Sequence, residues 1–134
     1  MLKDIENEVV KGIAVAVVPE QNETGENIWN VYLLNLKEEE IEGVLVTSKG
    51  YGERDGEPIK TSTLRHFLDE MESRSFKLIE PVMDDVLGLT NEFWVSFYHN
   101  KKIYERKYLF LPESISEKFF SRIPMLNKAG VIIK

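Results

Sequence analysis

Alternating apolar and polar positions predict strands over the first third of the chain. Residues 12–18 are small and β-branched, and Pro19, which cannot donate to a ladder, predicts the end of that strand. A polar loop over residues 20–27 follows. Trp29, Val31 and Leu33 then fall on one face of a strand over 28–36, with Tyr32, Leu34 and Leu36 on the other. Apolar side chains on both faces predict a central position in a sheet. A charged turn at 37–40 leads to a third strand over 44–48, closed by a glycine-bearing loop through Gly50, Gly52 and Gly56.

The period then changes. Leu64, Phe67, Leu68 and Met71 are spaced i, i+3, i+4 and i+7, which predicts a helix with Thr61 or Ser62 as its N-cap. Residues 76–82 return to a strand, and Pro81 places it at an edge or an end. The segment 92–111 predicts a hairpin. A two-residue turn at Asn100-Lys101 sets Phe97 opposite Tyr104 and Phe93 opposite Tyr108, with Trp94 opposite Lys107 on the other face. This register turns Arg106 into the apolar face. Ser114 and Glu117 have capping-box spacing, and Ile115, Phe119 and Ile123 predict a second short helix ended by Pro124. Residues 130–133 predict a last strand. The expected fold is α+β: a mainly antiparallel or mixed sheet of about six to seven strands with two short helices packed on it, forming one domain over residues 1–134.

Composition narrows the function classes. The chain of 134 residues is 43% hydrophobic and 30% charged, enough apolar material for a core and enough charge for a solvated surface. It has no cysteine, so disulfides, thiolate metal sites and cysteine nucleophiles are excluded. The opening residues mix charges and lack the pattern of a signal peptide, and no apolar run has the length of a membrane helix, so the expected location is cytoplasmic. The net charge of −6 is uneven: residues 1–57 hold 13 acidic against 5 basic residues, and residues 58–134 hold 10 against 12. An acidic first half repels phosphate backbones, so nucleic acid is not an expected partner.

The segment 44–68 places Lys60-Thr61-Ser62 after a glycine-bearing loop and before the expected helix, in the order of a phosphate-binding loop. The spacing fails, because Glu57-Pro58-Ile59 separates Gly56 from Lys60, and Glu53, Asp55 and Glu57 repel phosphate. A weaker anion site at the helix start is the remaining candidate, with Lys49, Lys60, Thr61, Ser62, Arg65 and His66 as its residues. Glu70 is a candidate to orient His66, and Ser48 or Ser62 a candidate nucleophile, but no nucleophile-elbow motif surrounds either serine. Asp84-Asp85 with Glu80 lacks the spacing of a known cation site and fits acids at a helix start better.

Residues 47–52 (TSKGYG), 60–66 (KTSTLRH) and 123–131 (IPMLNKAGV), together with Trp29-Asn30, resemble a family of small bacterial proteins of unknown function and similar length. Some of those proteins carry the label phenylalanine–tRNA synthetase alpha subunit. No class II synthetase motif is present here, and the chain is too short for that catalytic core. The resemblance thus implies a stand-alone domain with no catalytic residues to carry over. The expected function is a non-enzymatic interaction or accessory domain without a cofactor, partnered by another protein or by itself through a sheet edge or the Val131-Ile132-Ile133 tail. The alternative is a small-anion or nucleotide-binding module over residues 49–66.

Overall fold

The computed structural model describes residues 9–134. Ten strands follow one another: β1 (Ile13–Gln21), β2 (Asn27–Asn35), β3 (Ile41–Arg54), β4 (Glu57–Lys60), β5 (Leu64–Met71), β6 (Ser75–Val82), β7 (Thr90–His99), β8 (Lys102–Phe110), β9 (Ser121–Ile123) and β10 (Lys128–Ile133). Every pairing is antiparallel. The first sheet has the order β6-β2-β1-β10-β9. The second runs β4-β3-β7-β8, with β5 also pairing β3. Among the described residues the only helical pieces are two 3-10 turns, Asp84–Val86 and Glu117–Phe119.

The fold is therefore an all-β sandwich, and the α+β expectation with two packed helices is wrong. Residues 64–71 form β5 because two bulges disguise its period. Gly43 and Asp69 both take positive φ (56° and 64°), and the β3–β5 register slips between Ile41 and Leu45. Past the slip the inward phase changes, so His66 and Leu68 point inward and then Met71 does. An interrupted period of two imitates a helical stripe, whereas Phe67 is 67% exposed. Lys77 supports this strand by donating to the carbonyls of Leu68 and Glu70, both at 2.7 Å.

The second expected helix is likewise absent. Glu117–Phe119 makes one turn, and Ser121–Ile123 pairs with β10. The glycine-bearing loop is also mostly strand: β3 continues to Arg54 and reverses at Asp55-Gly56, both at positive φ, into β4. An Asp-Gly pair is a strong two-residue hairpin signal. Pro19 lies inside β1, tolerated because β10 pairs only with residues 15–17 and leaves Pro19 a neighbour on one side alone.

Several expectations hold. β2 lies inside its sheet, β6 is an edge, and the β7–β8 hairpin turns at Asn100-Lys101 with Phe97 opposite Tyr104, Phe93 opposite Tyr108 and Trp94 opposite Lys107. Arg106 does sit on the apolar face, opposite Val95. Because β8 is an edge, its guanidinium reaches the rim, lies 4.3 Å from the Tyr108 ring centre and donates to the Lys134 carbonyl. The tail is not free: β10 is held between β1 and β9, with Val131 opposite Val17. No helix among the described residues is long and apolar enough to cross a membrane. The opening residues read for a leader lie outside the described ones apart from Val9 and Val10.

The core lies between the sheets. Ile13, Val15, Val17, Val31 and Leu33 of the first sheet meet Val46, Phe93, Val95, Phe97, Tyr108 and Phe110 of the second. Where the start of β1 meets the edge strand β8, the Tyr108 hydroxyl donates to the Ile13 carbonyl at 2.7 Å, a buried polar link between the sheets. A second apolar layer covers the outer side of the first sheet over β1, where Ala14, Ala16, Val18 and Leu34 pack with Ile123. β1 is thus buried on both faces.

Tyr108→Phe keeps the ring and removes the cross-sheet hydrogen bond, and should lower unfolding free energy by about 1–2 kcal/mol in urea titration. Burial pushes the Tyr108 phenol up to about 12 from 10.0, so the folded state holds this proton more tightly than the unfolded chain. That contribution is complete below pH 10 and is lost as pH rises towards 12. The Phe variant should therefore show a shallower alkaline decline than the parent; identical declines would refute this origin. Tyr32, also pushed up to about 12 by burial and by its bond to Glu20, keeps some decline in both proteins.

Candidate functional site

Where the sheets part, a hollow of about 200 Å³ opens between β3, β6 and β7, lined by Ser48, Thr61, Ser62, Glu80, Asn91 and Phe93 among others. Ser48 lies on the inward face of β3 and is 3% exposed. His66 points inward from β5, on the neighbouring row. Glu80 comes from the first sheet, turned inward because the bulge of β6 at residue 79 sets both Ile79 and Glu80 towards the core. One carboxylate oxygen, Glu80 Oε1, accepts the Ser48 hydroxyl at 2.5 Å and meets His66 Nε2 at 2.7 Å. Since a carboxylate only accepts, Nε2 is the nitrogen that carries the proton here.

This order decides the chemistry. A serine nucleophile needs its hydroxyl to donate to a base that a third group orients, with the imidazole in the middle. Here the carboxylate is in the middle, and serine and histidine are its two donors. Two donors beside the hollow are already committed. Asn91 Nδ2 bonds the Val86 and Leu89 carbonyls at 3.0 and 3.2 Å, and the Gly50 N–H bonds Thr61 Oγ1 at 2.7 Å. The trio is a polar clasp between the sheets. Among the described residues no cluster of His, Asp and Glu is arranged to hold a metal ion.

The residues singled out in the sequence scatter. Thr61 and Ser62 line the hollow, with Thr61 also clipping the β4–β5 link onto Gly50. Lys49 borders the hollow, but its ammonium lies on the outer face, 4.0 Å from Glu92 and 5.8 Å from the Tyr51 ring. Arg65 alternates with His66 and so faces outward beside Thr47, and Lys60 is exposed on β4. No helix starts at residue 61, so the dipole expected to favour an anion there does not exist. Glu70 does not orient His66. Glu80, fourteen residues along the chain and on the other sheet, takes that place. Asp84 and Asp85 start a 3-10 turn, and Glu80 points away from them to Ser48 and His66.

Sequence reasoning passed over the outer face of the second sheet. Phe67, Trp94, Tyr98, Ile103 and Leu109 project from β5, β7 and β8 and are each 41–67% exposed. The registers join them through the half-buried Leu45, which lies opposite both Phe67 and Ser96. Their order is fixed locally. Trp94 Nε1 donates to Glu105 at 3.1 Å while the Lys107 ammonium lies 5.0 Å from the indole centre, and the Tyr98 ring packs against Gly43, where an added Cβ would stand 3.0 Å from it. The one available signal was the alternation of β7, whose outward set includes Trp94 and Tyr98.

No protein-family model matches the chain, and no curated protein matches it significantly.

Glu80→Ala should destabilise the fold by roughly 1–3 kcal/mol, because it strands a buried Ser48 hydroxyl, whereas Ser48→Ala should cost about 1 kcal/mol or less. In a double-mutant cycle the two effects should be strongly non-additive. Additive effects would mean that the clasp has no energetic content.

Proposed function

We propose that this chain is a non-enzymatic interaction domain that self-associates through the outer face of its second sheet. The observation that carries this reading is the row of exposed aromatic and aliphatic side chains, Phe67, Trp94, Tyr98, Ile103 and Leu109, joined across three strands on one face. Aromatic residues are enriched at protein interfaces, and a contiguous apolar patch on a surface is costly unless something covers it. The charges on the same face support a second copy as the occupant. Lys49, Arg65 and Lys107 are interspersed with Glu42, Glu92 and Glu105. A two-fold interface meets its own surface, so it must present both signs. The clasp in the hollow fits the non-enzymatic part of the reading, because its serine and histidine are both committed to one carboxylate oxygen.

Sedimentation should show dimers whose formation strengthens as salt is added, since two copies of net charge −6 repel at long range. A Phe67→Glu/Trp94→Glu variant should stay monomeric while keeping the parent's circular dichroism spectrum. A parent that is monomeric at every concentration, or a variant that associates equally well, would end this reading.

A further inference from the structure

Away from the clasp and from the exposed sheet face, the end of β1, the start of β2 and the segments 84–86 and 113–120 enclose a cleft of about 720 Å³. Trp29 and Phe120 form an aromatic corner in it, meeting edge to face with ring centres 6.1 Å apart. Every charged side chain on the lining is a carboxylate: Glu20, Asp84, Glu113 and Glu117. Glu20 is already neutralised. Burial alone would push its carboxyl up, but hydrogen bonds from Lys128, Tyr32 and Asn30 hold it below the usual range.

The other three have no such partner. Asp84 Oδ1 accepts the Trp29 indole N–H at 2.9 Å, so the acid is anchored to the ring and its second oxygen is left over. Glu113 is held at φ 65° by its N–H bond to the Leu87 carbonyl, and its carboxylate lies over Gly88, where an added Cβ would stand 3.4 Å away. Neither Glu113 nor Glu117 makes an ion pair with another described residue.

We propose that this cleft docks a lysine or arginine side chain from a basic segment of a partner protein. An aromatic ring attracts a cation, and the adjoining carboxylates supply the opposite charge. A metal ion does not fit, because the acids and histidines of the described residues are nowhere grouped as ligands. A protein segment fits better than a free small amine because the cleft is large and open and its carboxylates are spread along it. The turn between β1 and β2, which borders the cleft, adds Glu23 and Glu26 to the same end of the sheet and favours the approach of a basic partner. The site shares no residue with the self-association face, so either can fail alone.

The test is a titration of the isotope-labelled protein, followed through its two indole N–H resonances. The probes are a short lysine-rich peptide, the same peptide with norleucine at each lysine, and butylamine. The lysine peptide should move the Trp29 resonance, leave that of Trp94 in place and weaken with added salt. Glu113→Gln/Glu117→Gln should weaken binding roughly tenfold. Phe120→Leu, which leaves every carboxylate in place, should weaken it as well, so that a folding defect in one variant does not decide the matter. Three results would overturn the proposal: no response to the lysine peptide, an equal response to the norleucine peptide, or butylamine binding as tightly as the peptide.

Discussion

The structure depends on the closure of two sheets over one apolar interface. Ile13, Val15 and Val17 of β1 are withdrawn from water on that side, and Ala14, Ala16 and Val18 on the other. A strand buried on both faces cannot satisfy its backbone except through neighbours, so β1 requires β2 and β10 as partners. Facing it, the β7–β8 hairpin contributes Phe93, Phe97, Tyr108 and Phe110, with Phe93 and Phe110 edge to face and Phe97 stacked on Tyr104. The buried Tyr108 hydroxyl, reaching the Ile13 carbonyl, ties the two sheets together.

Two consequences for the surface follow. Closure at the centre lets the sheets part near Ser48, and the gap is bridged by a polar contact in place of an apolar one. Glu80 crosses from the first sheet to meet Ser48 and His66 of the second. The other consequence is that sheet faces are used unequally. The outer side of the first sheet is covered over β1 by the second apolar layer around Ile123 and left open only at its β6 edge, where Phe76 and Leu78 are exposed, whereas the outer side of the second sheet keeps Phe67, Trp94 and Tyr98 in solvent. Inward placement of Lys77, which ties down the carbonyls of β5, and the charged residues along β8 are the means by which such a sandwich keeps its edges from pairing indiscriminately.

The misread segments share a cause. Leu64, Phe67, Leu68 and Met71 carry a helical spacing because the bulge at Asp69 inserts one residue into a period of two. Ser114 and Glu117 satisfy a capping box, yet the chain leaves the helical conformation after a single turn because Ser121–Ile123 is drawn into the ladder of β10. In each place a long-range ladder overrode a local preference worth only tenths of a kcal/mol per residue. The candidate site suffered more. His66 and Ser48 were visible as individual residues, but their common partner Glu80 lies on another sheet, and no spacing along the chain could indicate it.

What the sequence determined by itself was local: the β7–β8 hairpin with its register, the central place of β2, and the place of β6 at an edge or an end, which the fold resolves as an edge. Those features follow from side-chain alternation, from two turn residues able to take positive φ, and from the missing N–H of Pro81. Only the tertiary structure decided the all-β outcome, the direction in which Arg65 and His66 point, the clasp at Glu80 and the bare face around Trp94. Each of these depends on which strand lies beside which, a choice made by burying the two sheets together rather than by any short stretch of chain.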